Sequence, residues 1–440
     1  MPFDLLIYFG AIVSGAWSLA RPQMGIYYLI LVFPLQTLRY DTWAFPFGSQ
    51  LIDLVLLGVV TGMFLGRRAP LFSEMPMKWL LVWLAACWYW SLWYGSLLWG
   101  LPWPITISDT RFSDWKCIAE MIVLSFVAFA VIKTKKQIEI VLVLMCVSAF
   151  YVAFDFFQVM SVRDLSHYSY TLRYSGLMGY AGANGLAAFA ASFGLLLVGL
   201  YNPRLPRPLK IMLPVVLAAC LYAVLFSFSR GAYLAFAAGA LFVGLAKRSI
   251  VATLLIASIL AVCMAIPGVA DRVSGTYTQQ ETSTEGALDT SSQSRLVVWQ
   301  DAIDLIKTHL LLGTGFDSYR YMHRVGSLED THNYYLKVCL EQGATGLLLF
   351  IVVLGEMIRR GYILFRSSSD RFLSSLGLGF AACMVGAAVA NIFGDRWTYQ
   401  QIASYWWILL AVTGRAQLLG TEAAEEAHED APGLEPAAAV

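Results

Sequence analysis

The sequence predicts an all-α polytopic membrane protein, with about 12–13 transmembrane helices and one large helical loop on the far side of the membrane. Three observations predict it. The chain is 58% hydrophobic and only 13% charged, with a mean hydropathy of +0.65, whereas a soluble globular domain is roughly 25% charged. Apolar runs recur at lengths that cross a hydrocarbon core about 30 Å thick as helices, while barrel strands are shorter and alternate apolar with polar. One long polar stretch, 271–335, interrupts these runs and holds three of the five histidines, His309, His323 and His332.

In chain order the spans fall near 3–20, 24–40, 50–66, 79–99, 117–132, 138–160, 177–201, 210–228, 231–246, 249–267, 338–358, 372–392 and 400–418. The first two are the least distinct, so the count is 12 or 13. The N-terminus lacks the basic start of a cleaved signal peptide and is read as part of the fold. This divides the chain into a bundle at 1–267, a helical loop at 268–335, C-terminal helices at 336–418 and an acidic tail at 419–440, rich in Ala and Pro and expected to be disordered. No helical or β repeat of fixed period is visible.

Lysine and arginine in short loops set orientation. Arg67, Arg68 and Lys78; Lys133, Lys135 and Lys136; Arg204, Arg207 and Lys210; Lys247 and Arg248; and Arg359, Arg360, Arg366 and Arg371 form one basic set of loops, alternating with loops poor in basic residues or mixed in charge. The basic set is expected in the cytoplasm. The 268–335 loop then faces the other side, the periplasm in a bacterium, and the protein sits in the inner membrane. Seven cysteines are scattered, most within spans (Cys87, Cys146, Cys220, Cys263, Cys383), without metal-ligand spacing; they read as small buried hydrophobes. No metal or other cofactor is expected. A net charge of +1 gives no reason to expect nucleic acid.

Several arginines are not cytoplasmic anchors. Arg173, Arg230 and Arg396 lie at turns on the outer side, and Arg295 opens the amphipathic part of the loop. Two readings stand for each. Guanidinium groups bind phosphate oxygens bidentately and stay charged, so together they suit an electropositive pocket; singly, each can snorkel or pair with a carboxylate. The series Gly176, Gly179, Gly182 and Gly185 around Asn184 suggests close helix packing or a broken span. Asn184 either donates to a phosphate or hydrogen-bonds between helices.

Within the loop, Leu296, Trp299, Ile303, Ile306 and Leu310 recur at three- and four-residue steps, an amphipathic helix that lies on the membrane or caps the bundle. Gly313-Thr314-Gly315-Phe316 is a turn, and 274–294 reads as mobile. Asp301 and Asp304 are one helical turn apart and either meet a cation or form a solvated face. His332, followed by Asn333 and Tyr334, is the best candidate base, since a neutral imidazole accepts a proton near physiological pH; a structural histidine bonded to a loop carbonyl fits as well. The paired carboxylates a glycoside hydrolase needs are not evident.

Taken in order, Arg173-Tyr-Ser-Gly-Leu with Gly-Ala-Asn184, Ser229-Arg230-Gly-Ala, Ser294-Arg295 with Trp299, Gly313-x-Gly-Phe, and His332-Asn-Tyr-Tyr-Leu followed by Glu341, Gly343 and Gly346 resemble the O-antigen ligase and polymerase superfamily. Ala183-Asn184-Gly185 departs from the Asn-Pro-Asn of many members. The resemblance implies a multi-span GT-C-like glycosyltransferase that transfers a glycan from undecaprenyl pyrophosphate at the periplasmic leaflet without metal and with inversion. Lipid A–core is the acceptor in ligases, a second lipid-linked repeat in polymerases and a protein hydroxyl in O-oligosaccharyltransferases. It further implies that Arg173 and Arg230 stabilise the pyrophosphate leaving group, that His332 activates the acceptor hydroxyl, and that Arg295, Asn184, Asn333 and Tyr334 hold substrate; Arg396, read from its place at an outer turn, is the further candidate for holding it. A lipid-linked glycan transporter is the alternative of a different class. It would place charges at the bilayer midplane within matched halves, neither of which the sequence shows.

Overall fold

The computed structural model describes residues 2–66, 74–250, 253–254, 257–258, 260–261, 265–274, 277–278, 287–288, 290–326 and 328–429. Arg67, Arg68, Cys263, much of the span read at 249–267 and most of the segment 274–294 lie outside them. The helices are α1 (Pro2–Ser18), α2 (Gln23–Val32), α3 (Gln36–Asp41), α4 (Leu51–Leu65), α5 (Lys78–Trp99), α6 (Thr110–Val131), α7 (Lys135–Met160), α8 (Gly182–Leu200), α9 (Arg207–Phe226), α10 (Arg230–Ala246), α11 (Pro267–Ser274), α12 (Thr290–Thr308), α13 (Ser318–Met322), α14 (Tyr334–Ser367), α15 (Arg371–Ala390) and α16 (Gln400–Glu429). Among the described residues the extended structure is one two-residue antiparallel pairing, Tyr277–Thr278 with Ala287–Leu288. This is an all-α polytopic membrane protein.

Every predicted span except 249–267 coincides with a helix. Six helices among the described residues are long and apolar enough to cross a membrane by length and composition, and α1, α2 and α10 are apolar but shorter. For α5 and α6 the difference from the expected 12–13 has a chemical cause. Trp and Tyr crowd α5, and Arg111, Asp114, Lys116 and Glu120 occupy the first half of α6. Such residues favour the interface over the hydrocarbon core. The tail also differs from expectation: α16 continues past 419 to Glu429, because Ala and Glu are strong helix formers that prolong a helix already nucleated by packing.

Polar residues at the membrane boundary start the helices. Asp109 accepts from the Arg111 and Phe112 amides at the head of α6, Thr134 forms a capping box with Gln137 at α7, and Asp370 accepts from Phe372 and Leu373 at α15. Large apolar side chains such as Leu57, Phe64, Trp83, Ile211 and Leu348 point outward, an apolar periphery suited to lipid rather than water. Inside, α8 and α15 are rich in Gly and Ala and approach closely: a Cβ at Gly199 would stand 2.4 Å from the Gly379 Cα.

Lys135 pairs with Asp370, and Asn202 donates to the Arg371 carbonyl at 2.8 Å. These contacts gather basic loops at one end of the bundle. The entry to α8, the head of α14 and the turn after α15 lie at the other end, where α12 docks. α12 buries Val298, Ala302 and Leu305 against Tyr319 and Leu340. Of the stripe read in the sequence, Ile306 packs against this cluster and Trp299 donates to the Thr331 carbonyl, while Leu296, Ile303 and Leu310 stay exposed. Both sets have helical spacing, and the docking partner decided which side chains pack.

Candidate functional site: two joined charged cavities

The outer end of the bundle is built from broken helices. Before α8 the chain makes a short 3₁₀ run, Gly176–Ala181, in which Gly179 takes φ 51°, ψ −116°. The glycine series thus marks a broken span. The break carries Arg173 beside Asn184, to whose side-chain oxygen it donates.

The head of α14 is broken too. Gly343 adopts φ 71°, ψ −175°, a conformation open essentially to glycine alone. The break frees backbone groups, and the Gly313–Phe316 turn takes them up. Thr314 and Gly315 donate their amides to the Leu340 and Glu341 carbonyls, each at 2.8 Å, and Ala344 donates to Leu310 at 2.7 Å. Phe316 donates to Ser91 at 3.1 Å on α5. The Gly-x-Gly turn is therefore a structural seal on a helix break, as non-helical backbone near membrane depth requires.

These breaks surround a cavity of ≈ 570 Å³ into which Arg173, Asn184, Arg295, Asp330, His332 and Arg396 all face. The His332 Nδ1 lies 3.1 Å from the Asp330 carboxylate, which also accepts from the His332 amide at 3.0 Å. Asp330 as acceptor fixes the proton on Nδ1 and leaves Nε2 as the basic nitrogen. Burial pushes the Asp330 carboxyl up, but the hydrogen bond from His332 and the Lys337 charge outweigh it and hold it below the usual carboxylate range. The Tyr334 amide donates to the Asn391 carbonyl at 2.8 Å, and the Asn391 side chain accepts from the Arg396 amide at 3.0 Å. This ladder ties the histidine loop to the turn that carries Arg396. Burial, opposed by the Tyr168 phenol, lowers the Arg173 guanidinium from its ordinary value, and the like charges of Arg272 and Arg396 lower it further. Like charges held together this way favour an arriving anion.

Three residues expected at the site do not line this cavity. Arg230 opens α10, where its neighbour Gly231 packs on Phe393. Asn333 is spent as the cap of α14, accepting from the Leu336 amide at 3.1 Å. Tyr334 is buried against Phe350 and Trp397, with ring centroids 4.9 Å and 6.4 Å away. Asn333 and Tyr334 sit next in sequence to His332, but the start of α14 turns their side chains elsewhere. Asp304 pairs with Lys307 on an exposed face, whereas Asp301 accepts from the Tyr319 hydroxyl and pairs with Arg324, so the two carboxylates are engaged separately. His309 lies tilted against Trp99, ring centroids 5.8 Å apart, and His323 faces Glu329.

Arg272 went unread in the sequence. Its guanidinium lies 4.4 Å from the Tyr168 ring centroid, donates to the Phe228 carbonyl at 3.2 Å and is close enough to act on Arg173. A second cavity of ≈ 410 Å³ was also unread. It shares Tyr180, Asp330 and Tyr399 with the first and is lined by Asp114, Asp317, Glu329 and Asp395 with Lys337 and Arg320. Lys337 pairs with Asp395 at 2.9 Å. A signal was present: Lys337 and Glu341 stand four residues apart at the entry to an apolar span, where ionisable residues are costly and functional by default.

Burial raises the Asp317 carboxyl to about 6, with the Lys337 charge opposing. A carboxyl raised on folding costs stability above its folded value, a cost that grows from about pH 4 to about pH 6 and vanishes below pH 4. Asp317→Asn is therefore expected to stabilise the protein at pH 8 by on the order of 2 kcal/mol. Thermal melts at pH 8 and pH 4 check this, and a gain that persisted at pH 4 would assign the effect to something other than the charge.

An all-α bundle with a charged cavity at one end, built from arginines and a histidine–carboxylate pair, defines a polytopic membrane protein equipped to handle an anionic substrate. Residues 213–351 match the family model described as O-antigen ligase. That match, over less than half of the chain, supports its membership of the O-antigen ligase and polymerase superfamily, and with it a ligase- or polymerase-type function on lipid-linked glycans. No curated protein matches the chain.

Proposed function

We propose that the protein is an inner-membrane O-antigen ligase that transfers a glycan from undecaprenyl pyrophosphate to lipid A–core on the periplasmic side. The observation that carries this reading is the convergence of Arg173, Arg295, Arg396 and the His332–Asp330 pair on one cavity. The positive-inside distribution supports the orientation, since basic loops gather at the opposite end.

In this reading the arginines bind the donor pyrophosphate and take up the charge that grows on it as the glycosidic bond breaks. His332 Nε2 removes the acceptor hydroxyl proton as the oxygen attacks the anomeric carbon from the face opposite the leaving group, which inverts the centre. Asp330 stabilises the imidazolium that forms. Because the arginines supply the electrostatic stabilisation, the reaction is expected to run without a divalent metal.

The test is transfer by detergent-purified protein supplied with undecaprenyl-pyrophosphate glycan and lipid A–core in EDTA. Wild type is expected to form a new glycolipid, and Arg173→Ala to lose roughly 10²–10³ in rate, the usual consequence of removing one electrostatic stabiliser. Undiminished activity in Arg173→Ala removes it from the mechanism. Product formed only when a second lipid-linked glycan or a protein is supplied moves the reading to polymerase or protein O-oligosaccharyltransferase.

A further inference from the structure

The second cavity has a chemistry of its own. Five carboxylates line it, from Asp114, Asp317, Glu329, Asp330 and Asp395, against two cations, Lys337 and Arg320. Four of the five carboxylates are engaged. Asp395 pairs with Lys337 at 2.9 Å, Glu329 and Asp114 face Arg320 at 3.1 Å and 3.7 Å, and Asp330 holds His332. Asp317 is the exception. The residue is 8% exposed, and its Oδ2 has no hydrogen-bond partner. A buried carboxylate oxygen left without a donor is costly, and a bound ligand can supply that donor. Tyr40, Tyr180 and Tyr399 add rings and hydroxyls to the wall, and Gln36, Gln400 and Gln401 add amides. Among the described residues no group of three or more His, Cys, Asp or Glu is set to hold a metal ion. The combination of carboxylates, tyrosine faces and amides suits an organic cation carrying hydroxyl groups.

We propose that this second cavity is a binding site for an amino sugar, whose ammonium group is held by Asp317 and whose ring lies against Tyr180 and Tyr399. Those two tyrosines and Asp330 also line the arginine cavity. Resting on the transfer reading of that cavity, the inference is that a substrate sugar next to the reacting centre carries a free amine. The neighbouring cavities then divide recognition by charge: arginines take the anionic part, and Asp317 takes the cationic one.

The test uses full-length protein in detergent and amine-free buffer at pH 7.5, with glucosamine, N-acetylglucosamine and glucose as separate probes and thermal stability as readout. Glucosamine is expected to raise Tm in a saturable way at millimolar concentrations, while N-acetylglucosamine and glucose at equal concentration do not. The rise is expected to vanish in Asp317→Asn, to shift to higher concentration in Asp114→Asn, and to persist in Arg173→Ala. Equal shifts from glucosamine and N-acetylglucosamine, or an unchanged response in both carboxylate variants, overturn the proposal. A wild-type enzyme that binds glucosamine in this pattern but transfers no glycan refutes the transfer reading and leaves the amine site standing.

Discussion

His332→Ala is expected to lower glycan transfer by roughly 10²–10⁴, the usual contribution of a positioned general base, without altering the fold. The His332 side chain is half-exposed to the cavity, and the bonds that hold its loop come from the backbone and from neighbours. Trp299 donates to the Thr331 carbonyl at 2.7 Å, Asn333 caps α14, and the Tyr334 amide reaches Asn391. Removing the imidazole leaves these in place, so the loss should fall on the chemical step rather than on donor binding. Asp330→Asn is the sharper companion. An amide in place of the carboxylate can donate to Nδ1, which shifts the proton to Nε2 and removes the base while keeping its shape. The expected signature is a lower rate with the donor KM nearly unchanged. If His332→Ala transfers glycan at the wild-type rate, the base lies elsewhere and the His332–Asp330 pair is structural.

The second large effect is on stability. A Cβ at Gly343 would stand 2.2 Å from the Leu311 carbonyl oxygen, and its φ of 71° with ψ −175° is strained for any L-residue. Gly343→Ala is expected to cost about 3 kcal/mol or more, because both the backbone and the seal formed by Gly313–Phe316 must shift. That seal positions Asp317 and α13, so activity and amine binding should fall with stability. Gly355→Ala lies in the same helix, where the added methyl meets nothing within 4 Å, and should be silent. Thermal melts of both variants check the pair. Equal, small effects would mean that the helix break is not needed to place the outer cavities.

Much of this was legible in the sequence because it is local. A span is a length of apolar chain, a broken span is announced by glycines, and the amphipathic helix by its period. Arg173, Asn184, Arg295, His332 and Arg396 were singled out as ionisable or polar residues at the outer ends of apolar runs, and the fold brings them to one cavity. Asn333 and Tyr334 carried the same kind of signal and face elsewhere, since adjacency in sequence does not set the direction of a side chain, and Arg230 does not line that cavity. Lys337 carried a signal too, but its partner Asp395 comes from the turn after α15 and the other carboxylates of that cavity from separate elements, so no window of sequence joins them.

The sequence by itself determined that the chain is a helical membrane protein, which end is basic and which segment is polar, because the cost of burying charge and backbone in lipid depends on residues taken a few turns at a time. Only the tertiary structure decided which side chains of α12 pack, that the Gly-x-Gly turn seals the break at Gly343, and that an arginine cavity shares a wall with an acidic one. Those depend on the docking of helices from opposite ends of the chain, where complementary shape and paired charge select one among several locally equivalent arrangements.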